Sequence, residues 1–229
     1  MPRYYPIMLD VRGRPALVIG GDGVAAEKAA ALCASGAQVT VMNAEFCPEL
    51  LAMAEQGAIT LRQKAYETGD LAGAFVVVAA VTYDPQLAEA IWNEGQERGQ
   101  LVNIVDVPAR CNFIVPSILR RGQLTIAVST EGASPSLSKR IRQRLEGLFP
   151  AAYDGYMQLA VVARTHLRQH GVSYAQRDAF FGEYYHSQIL QLLAEDNAPQ
   201  ALALTAELLQ HYGVEISTEA LLDGLAAVP

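Results

Sequence analysis

The chain has 229 residues, 51% hydrophobic and 18% charged, a folding composition with enough material for one large domain or two small ones. Its 24 acidic and 17 basic residues leave a net charge of −7, which argues against a general nucleic-acid binder or a polybasic membrane-surface protein. The charge is uneven: residues 1–108 carry 13 acids and 7 bases, residues 109–144 one acid and 7 bases, and residues 145–229 10 acids and 3 bases, so a basic island lies between two acidic stretches.

In chain order, Ala16–Gly20 is an apolar strand broken by Gly21-Asp22-Gly23, and a helical pattern through Val24–Ser35 closes on Gly36. Gln38–Met42 reads as a second strand, Phe46–Gln56 as a helix and Ile59–Gln63 as a third strand. Phe75–Ala80 is continuously apolar, as expected where both faces of a parallel sheet are covered. Pro85–Arg98 then predicts a helix and Leu101–Val105 another buried strand. Beyond Pro108 the texture changes. Phe113–Leu119 and Leu124–Ser129 flank the turn signal Arg121-Gly122, and Ser134-Pro135 supplies an N-cap and first helical residue. Helices are predicted over Tyr153–Gln169, Tyr174–Ala194, Pro199–Tyr212 and Thr218–Ala226. The fold class is therefore α/β: a Rossmann-type parallel-sheet domain over residues 1–112, a small β-hairpin and helix over 113–150, and an all-helical domain over 151–229.

Cys33, Cys47 and Cys111 cannot all pair within one chain and none has metal-ligand spacing, so reduced thiols in a cytoplasm are expected. The opening MPRYYPIMLDVRGR lacks the apolar run of a signal peptide, and no window reaches about 18 apolar residues without a charge. No membrane or nucleic-acid partner is expected. His166 and His170 stand four apart but lack a third ligand, so no resident metal is expected either.

Gly21-Asp22-Gly23-Val24-Ala25-Ala26 fits G-x-G-x-x-A between a strand and a helix, the context in which backbone amides at a helix N-terminus meet a pyrophosphate. Gly20, Gly21, Asp22, Gly23 and Val24 are the candidate cradle. Ala44 and Glu45 follow the second strand where a ribose-binding carboxylate belongs; the other reading of Glu45 is a solvated acid at a helix start. No Arg or Lys occurs from Gln38 to Glu55, which favours NAD over NADP.

Five stretches carry a resemblance to a known family. They are Tyr5-Pro6-Ile7-Met8-Leu9-Asp10-Val11; Val18-Ile19-Gly20-Gly21-Asp22-Gly23-Val24-Ala25 with Lys28; Ala79-Ala80-Val81-Thr82; Val102-Asn103-Ile104-Val105-Asp106-Val107-Pro108 with Cys111-Asn112-Phe113-Ile114-Val115-Pro116-Ser117; and Ile126-Ala127-Val128-Ser129-Thr130-Glu131-Gly132-Ala133-Ser134-Pro135. Over residues 4–150 the chain resembles the precorrin-2 dehydrogenase/sirohydrochlorin ferrochelatase proteins of sirohaem synthesis. It departs in two places: Asp22 stands where the family turn has a third glycine, and Glu131 where relatives often have one.

The resemblance implies a homodimer joined through the hairpin and following helix. It further implies NAD-dependent oxidation of precorrin-2 to sirohydrochlorin, and leaves open whether Fe²⁺ is then inserted. Thr82 joins the cofactor contacts and Asp106 matches the family's essential aspartate, an acid/base just past a parallel strand. For a ring carrying eight carboxylates, the candidate hosts are Arg110, Asn112, Ser129 and Thr130, with Lys139 and Arg140 from the basic island. Cys111 reads as a small packing residue. Two alternatives from other classes are a non-catalytic NAD(H)-binding regulatory module and a tetrapyrrole carrier without cofactor.

Overall fold

The computed structural model describes residues 4–81 and 84–228. The chain divides between Val115 and Pro116 into two compact units.

In the first unit, strands β1 (Pro15–Ile19), β2 (Gln38–Asn43), β3 (Thr60–Gln63), β4 (Val76–Ala79) and β5 (Leu101–Ile104) form one parallel sheet in the order β3-β2-β1-β4-β5. Helices α1 (Gly23–Ala34), α2 (Pro48–Glu55) and α3 (Pro85–Glu97) provide the β1–β2, β2–β3 and β4–β5 crossovers, while β3 is joined to β4 without a helix. The unbroken apolar strands serve two cores because successive side chains point to opposite faces. Ala16 and Val18 of β1 pack with Ala25, Ala26 and Ala29 of α1 on one face, while Leu17 and Ile19 pack with Ala88 and Ile91 of α3 on the other. Both major helices start on an aspartate: Asp22 accepts from the Ala25 amide, and Asp84 from the amides of Gln86 and Leu87. At Gly95 of α3 an added Cβ would lie 2.3 Å from Val102 Cγ2, which makes glycine the residue that lets this helix lie close on β5.

The second unit begins with an antiparallel hairpin, β6 (Ser117–Arg121) and β7 (Leu124–Val128). Its two-residue turn is Gly122-Gln123, with Gly122 at φ 53° as a type II′ turn requires. Helix α4 (Pro135–Leu148) follows with Ser134 as N-cap and Pro135 first, as the sequence predicts. Then come α5 (Tyr153–Gln169), α6 (Tyr174–His186), α7 (Ile189–Ala194), α8 (Ala198–His211) and α9 (Thr218–Ala226). The single helix expected over Tyr174–Ala194 is two. Ser187 takes an extended conformation, its hydroxyl donates to Tyr184 O at 2.7 Å and accepts from the Ile189 amide, and this side-chain alternative to the helical ladder ends α6. Phe180, Tyr184, Leu159, Leu167, Leu209 and Leu221 fill the core of α5–α9. No helix among the described residues is long and apolar enough to cross a membrane.

Candidate active site

Because every strand of the sheet runs the same way, the carboxyl ends of β1, β2, β4 and β5 share one edge. The order reverses between β1 and β4, the crevice where open α/β sheets take ligands. Gly20 sits there at φ 138°, and a Cβ on it would approach Ala80 O to 3.0 Å, so the two strand ends can close up only around glycine. Thr82, also assigned to the cofactor, lies outside the described residues.

The glycine turn has a closed side and an open side. A Cβ on Gly21 would fall 1.9 Å from Glu45 O and 2.4 Å from Asn43 Nδ2, so Gly21 is packed against the chain leaving β2. A Cβ on Gly23 would meet nothing within 4 Å. Among the described residues the amides of Gly21, Asp22, Gly23 and Val24 have no acceptor, leaving consecutive donors at the start of α1. These donors and the clearance over Gly23 fit a dinucleotide's pyrophosphate. Asp22 is the discordant element: its carboxylate already accepts from the Ala25 amide at 2.9 Å and holds a negative charge at the same helix end.

Beside the turn lies a pocket of about 360 Å³ lined by Gly21, Asp22, Asn43, Glu45, Phe46 and Cys47. Glu45 thus meets the glycine turn, whereas Ala44 is exposed and turns its carbonyl to Gln63 Nε2 at 3.1 Å. Sequence reasoning did not select Asn43. It ends β2, and its amide donates to Glu45 O at 2.7 Å, shaping the wall of the pocket. The available signal was a polar residue closing an apolar strand.

Asp106 follows β5, exposed and at φ 60°, in the left-handed region that Asp enters more readily than most side-chain-bearing residues but that still costs about 1 kcal/mol. Its carboxylate stands at the carboxyl-end edge of the sheet, just past β5. Arg110 forms an ion pair with Glu89 at 3.1 Å. Asn112 is used up on the edge of β5: its Oδ1 accepts from Val102 N–H at 2.8 Å and its Nδ2 donates to Gln100 O at 2.7 Å. Its side chain acts as a strand mimic, and its amide keeps a second hydrogen beyond these two bonds at an exposed position.

In the second unit, the Thr130 hydroxyl donates to Ser134 O and accepts from Ser134 N–H, and the Ser129 hydroxyl accepts from Glu131 N–H. Both side chains are turned into their own loop, where Glu131 sits at φ 52°. The basic island divides. Arg121 donates to Phe149 O and Arg142 pairs with Glu146, whereas Arg120, Lys139, Arg140 and Arg144 have no ion pair among the described residues. No cluster of three or more His, Cys, Asp or Glu able to hold a metal exists among the described residues.

A parallel sheet with a switch point, and free amides at the helix opposite it, define a dinucleotide-binding α/β protein. Residues 7–117 match the family model described as "Putative NAD(P)-binding", and residues 121–148 match that of the sirohaem biosynthesis protein central segment. The sirohaem synthase of Nitrosococcus oceani is 35% identical over 90% of this chain and 44% of its own length. That of Methylobacillus flagellatus is 38% identical over 80% and 39%. The chain therefore spans less than half the length of these relatives. A solved structure titled SirC, precorrin-2 dehydrogenase, superposes with a TM-score of 0.75 at 27% identity, covering 92% of this chain and 99% of that one. The chain is thus similar to sirohaem synthases over the part of their length that it spans, and to a precorrin-2 dehydrogenase over nearly the whole of that protein.

Proposed function

We propose that the chain oxidises precorrin-2 to sirohydrochlorin in sirohaem synthesis, with NAD⁺ as oxidant. The observation that carries this reading is the strained Asp106 carboxylate at the ligand-binding edge of an NAD(P)-binding fold. Bound NAD⁺ supplies the hydride acceptor. The amides of Gly21 to Val24 would hold its pyrophosphate, while Asn43 and Glu45 offer acceptors to a ribose. The Glu45 carboxylate repels a 2′-phosphate. The nearest base on the sheet, Arg62, is paired with Asp70 at 2.8 Å, so NAD is preferred to NADP.

Asp106 takes the proton that the macrocycle releases as it loses the hydride. Arg120, Lys139, Arg140 and Arg144 are the cations left to meet the substrate's carboxylates, with Arg110 available if it leaves Glu89. In a second step, Fe²⁺ would enter as substrate while two pyrrole N–H protons leave, and Asp106 is again the acceptor. We assign residues 113–150 to the contact of a homodimer, because between β6 and the end of α4 only Leu119 and Ser138 are buried while Ile118, Leu137, Ile141 and Leu148 are exposed. A two-stranded hairpin with so little core needs a partner surface. The free thiols of Cys33, Cys47 and Cys111 suit a reducing cytoplasm.

The test is to supply purified protein with precorrin-2 and NAD⁺ and follow sirohydrochlorin absorbance together with NADH. Both should rise in equal amounts. NAD⁺ binding without turnover would instead favour the regulatory module. Metal insertion is read separately, by adding Fe²⁺ to sirohydrochlorin with and without the protein.

A further inference from the structure

Asp106 is the third residue of a tight turn, Ile104-Val105-Asp106-Val107, closed by the Val107 amide donating to Ile104 O at 3.1 Å. The positive φ falls at the turn position that a type II turn reserves for Gly or Asn. Such a conformation persists only where its surroundings impose it. Here the surroundings are the returning chain. After a 3₁₀ turn over Pro108–Arg110, Cys111 lies opposite Asn103 in an antiparallel bridge. Its Sγ is 3.2 Å from Ile104 O and 3.3 Å from Val107 O, the carbonyls at the two ends of the Asp106 turn. The Asn112 side chain next to it holds this segment on β5. Burial pushes the Cys111 thiol above its ordinary value, so it keeps its proton and remains a donor, a poor nucleophile but a usable clamp.

We infer that Cys111 is a positioning residue, its one S–H shared between the carbonyls at the two ends of the turn that carries Asp106 and so fixing where that carboxylate stands. The inference rests on the reading of Asp106 as the acid/base. It gives the thiol a role that its packing alone would not require, since a small apolar side chain would fill the same space.

The comparison is between Cys111→Ala, which removes the donor, and Cys111→Ser, which keeps one. Cys111→Ala should lower kcat for precorrin-2 oxidation roughly tenfold, the scale set by a small displacement of a reacting group. Its Kd for NAD⁺, titrated without precorrin-2, should be unchanged, and hydrogen exchange at the Val107 amide should quicken. Cys111→Ser should recover most of both losses. Unchanged kcat and unchanged Val107 exchange in Cys111→Ala would overturn the inference, as would equal impairment in the Ser variant. Failure of the underlying reading looks different: Asp106→Asn would turn over normally while Cys111→Ala still speeds Val107 exchange, leaving a clamp on a residue that takes no part in the chemistry.

Discussion

The Asp22 carboxylate accepts from the Ala25 amide at 2.9 Å, and so holds a negative charge at the helix end that a pyrophosphate would approach. Two anions compete there for one set of donors. Asp22→Asn keeps a side-chain oxygen for the cap and removes the charge. It should bind NAD⁺ about fivefold more tightly, equivalent to about 1 kcal/mol, with little change in thermal stability. Calorimetric titration of NAD⁺ into both proteins at low salt checks this, and the difference should shrink as salt is raised. Equal or weaker affinity in the Asn variant would mean that Asp22 points away from the phosphates.

The two glycines flanking Asp22 should part company under substitution. Gly21→Ala puts a methyl 1.9 Å from a backbone oxygen, Glu45 O, which cannot yield as a flexible side-chain end could. It should destabilise the first unit by several kcal/mol, on the scale of overpacking in a tight site. Gly23→Ala meets no protein atom and stands at the first helical position of α1, where alanine restricts the unfolded chain and is favoured by about 0.4–1 kcal/mol. Its melting temperature should hold or rise while NAD⁺ affinity falls, because the open side of the turn is the side left for the cofactor. Melting curves with and without NAD⁺ separate these outcomes.

The sheet and the order of its strands are legible in the sequence. The continuous apolar run Phe75–Ala80 announces a sheet buried on both faces, and Asp106 and Glu45 stand just past strand ends, as the sequence places them. What sequence could not supply was the direction of side chains. Asn112 lies in a stretch that resembles the family, and its amide bonds the edge of β5; Ser129 and Thr130 are turned into their own loop. Nor does charge counting tell Arg142, paired with Glu146, from Arg140, which is unpaired among the described residues. The split of the expected Tyr174–Ala194 helix turned on one hydroxyl, that of Ser187, choosing a backbone carbonyl. Periodicity cannot register such a choice.

The strain at Asp106 gives its role a thermodynamic signature. Asp106→Gly removes the side chain that makes φ 60° costly and should stabilise the first unit by up to about 1 kcal/mol, less whatever glycine adds to unfolded-chain entropy. The same change should abolish precorrin-2 oxidation. Asp106→Asn, which tolerates the conformation but cannot take the proton, should be as stable as the parent and equally inactive. Denaturant midpoints and turnover measured on the same samples decide the matter. A destabilised and partly active Gly variant would show that the aspartate serves the turn.

The exposed apolar residues of α4 predict a change of mass. Leu137 is 49% and Ile141 38% exposed, four residues apart on one side of the helix. Leu137→Asp or Ile141→Asp should give monomers by light scattering at concentrations where the parent is a dimer, each losing on the order of 1–2 kcal/mol of association free energy from buried area. Being already half exposed, neither position should unfold α5–α9. A parent that is monomeric would withdraw the hairpin and α4 as an interface.

Acid sensitivity of the first unit should trace to Glu94. This buried carboxylate of α3 accepts from the Tyr66 hydroxyl, from the Gly69 amide at 2.9 Å, from the Leu71 amide at 3.3 Å and from Arg98 Nε at 2.7 Å, tying the loop before β4 to the helix. Burial alone would raise its pKa, but the Tyr66, Gly69 and Arg98 donors outweigh it and hold the group below its ordinary value. A carboxylate lowered in the folded state contributes stability in full above its unfolded pKa, near 4.3, and loses it as pH falls through the lower folded value. Urea midpoints should therefore drop from about pH 5 downward. Glu94→Gln should flatten that drop, leaving the part due to Asp70, which is lowered in the same sense: Glu67 N–H, Lys64 and Arg62 together outweigh its burial. At pH 7, Glu94→Ala should cost about 3 kcal/mol, because two amides and a tyrosine hydroxyl lose their acceptor together. A Gln variant with the parent's full acid slope would assign the effect to other carboxylates.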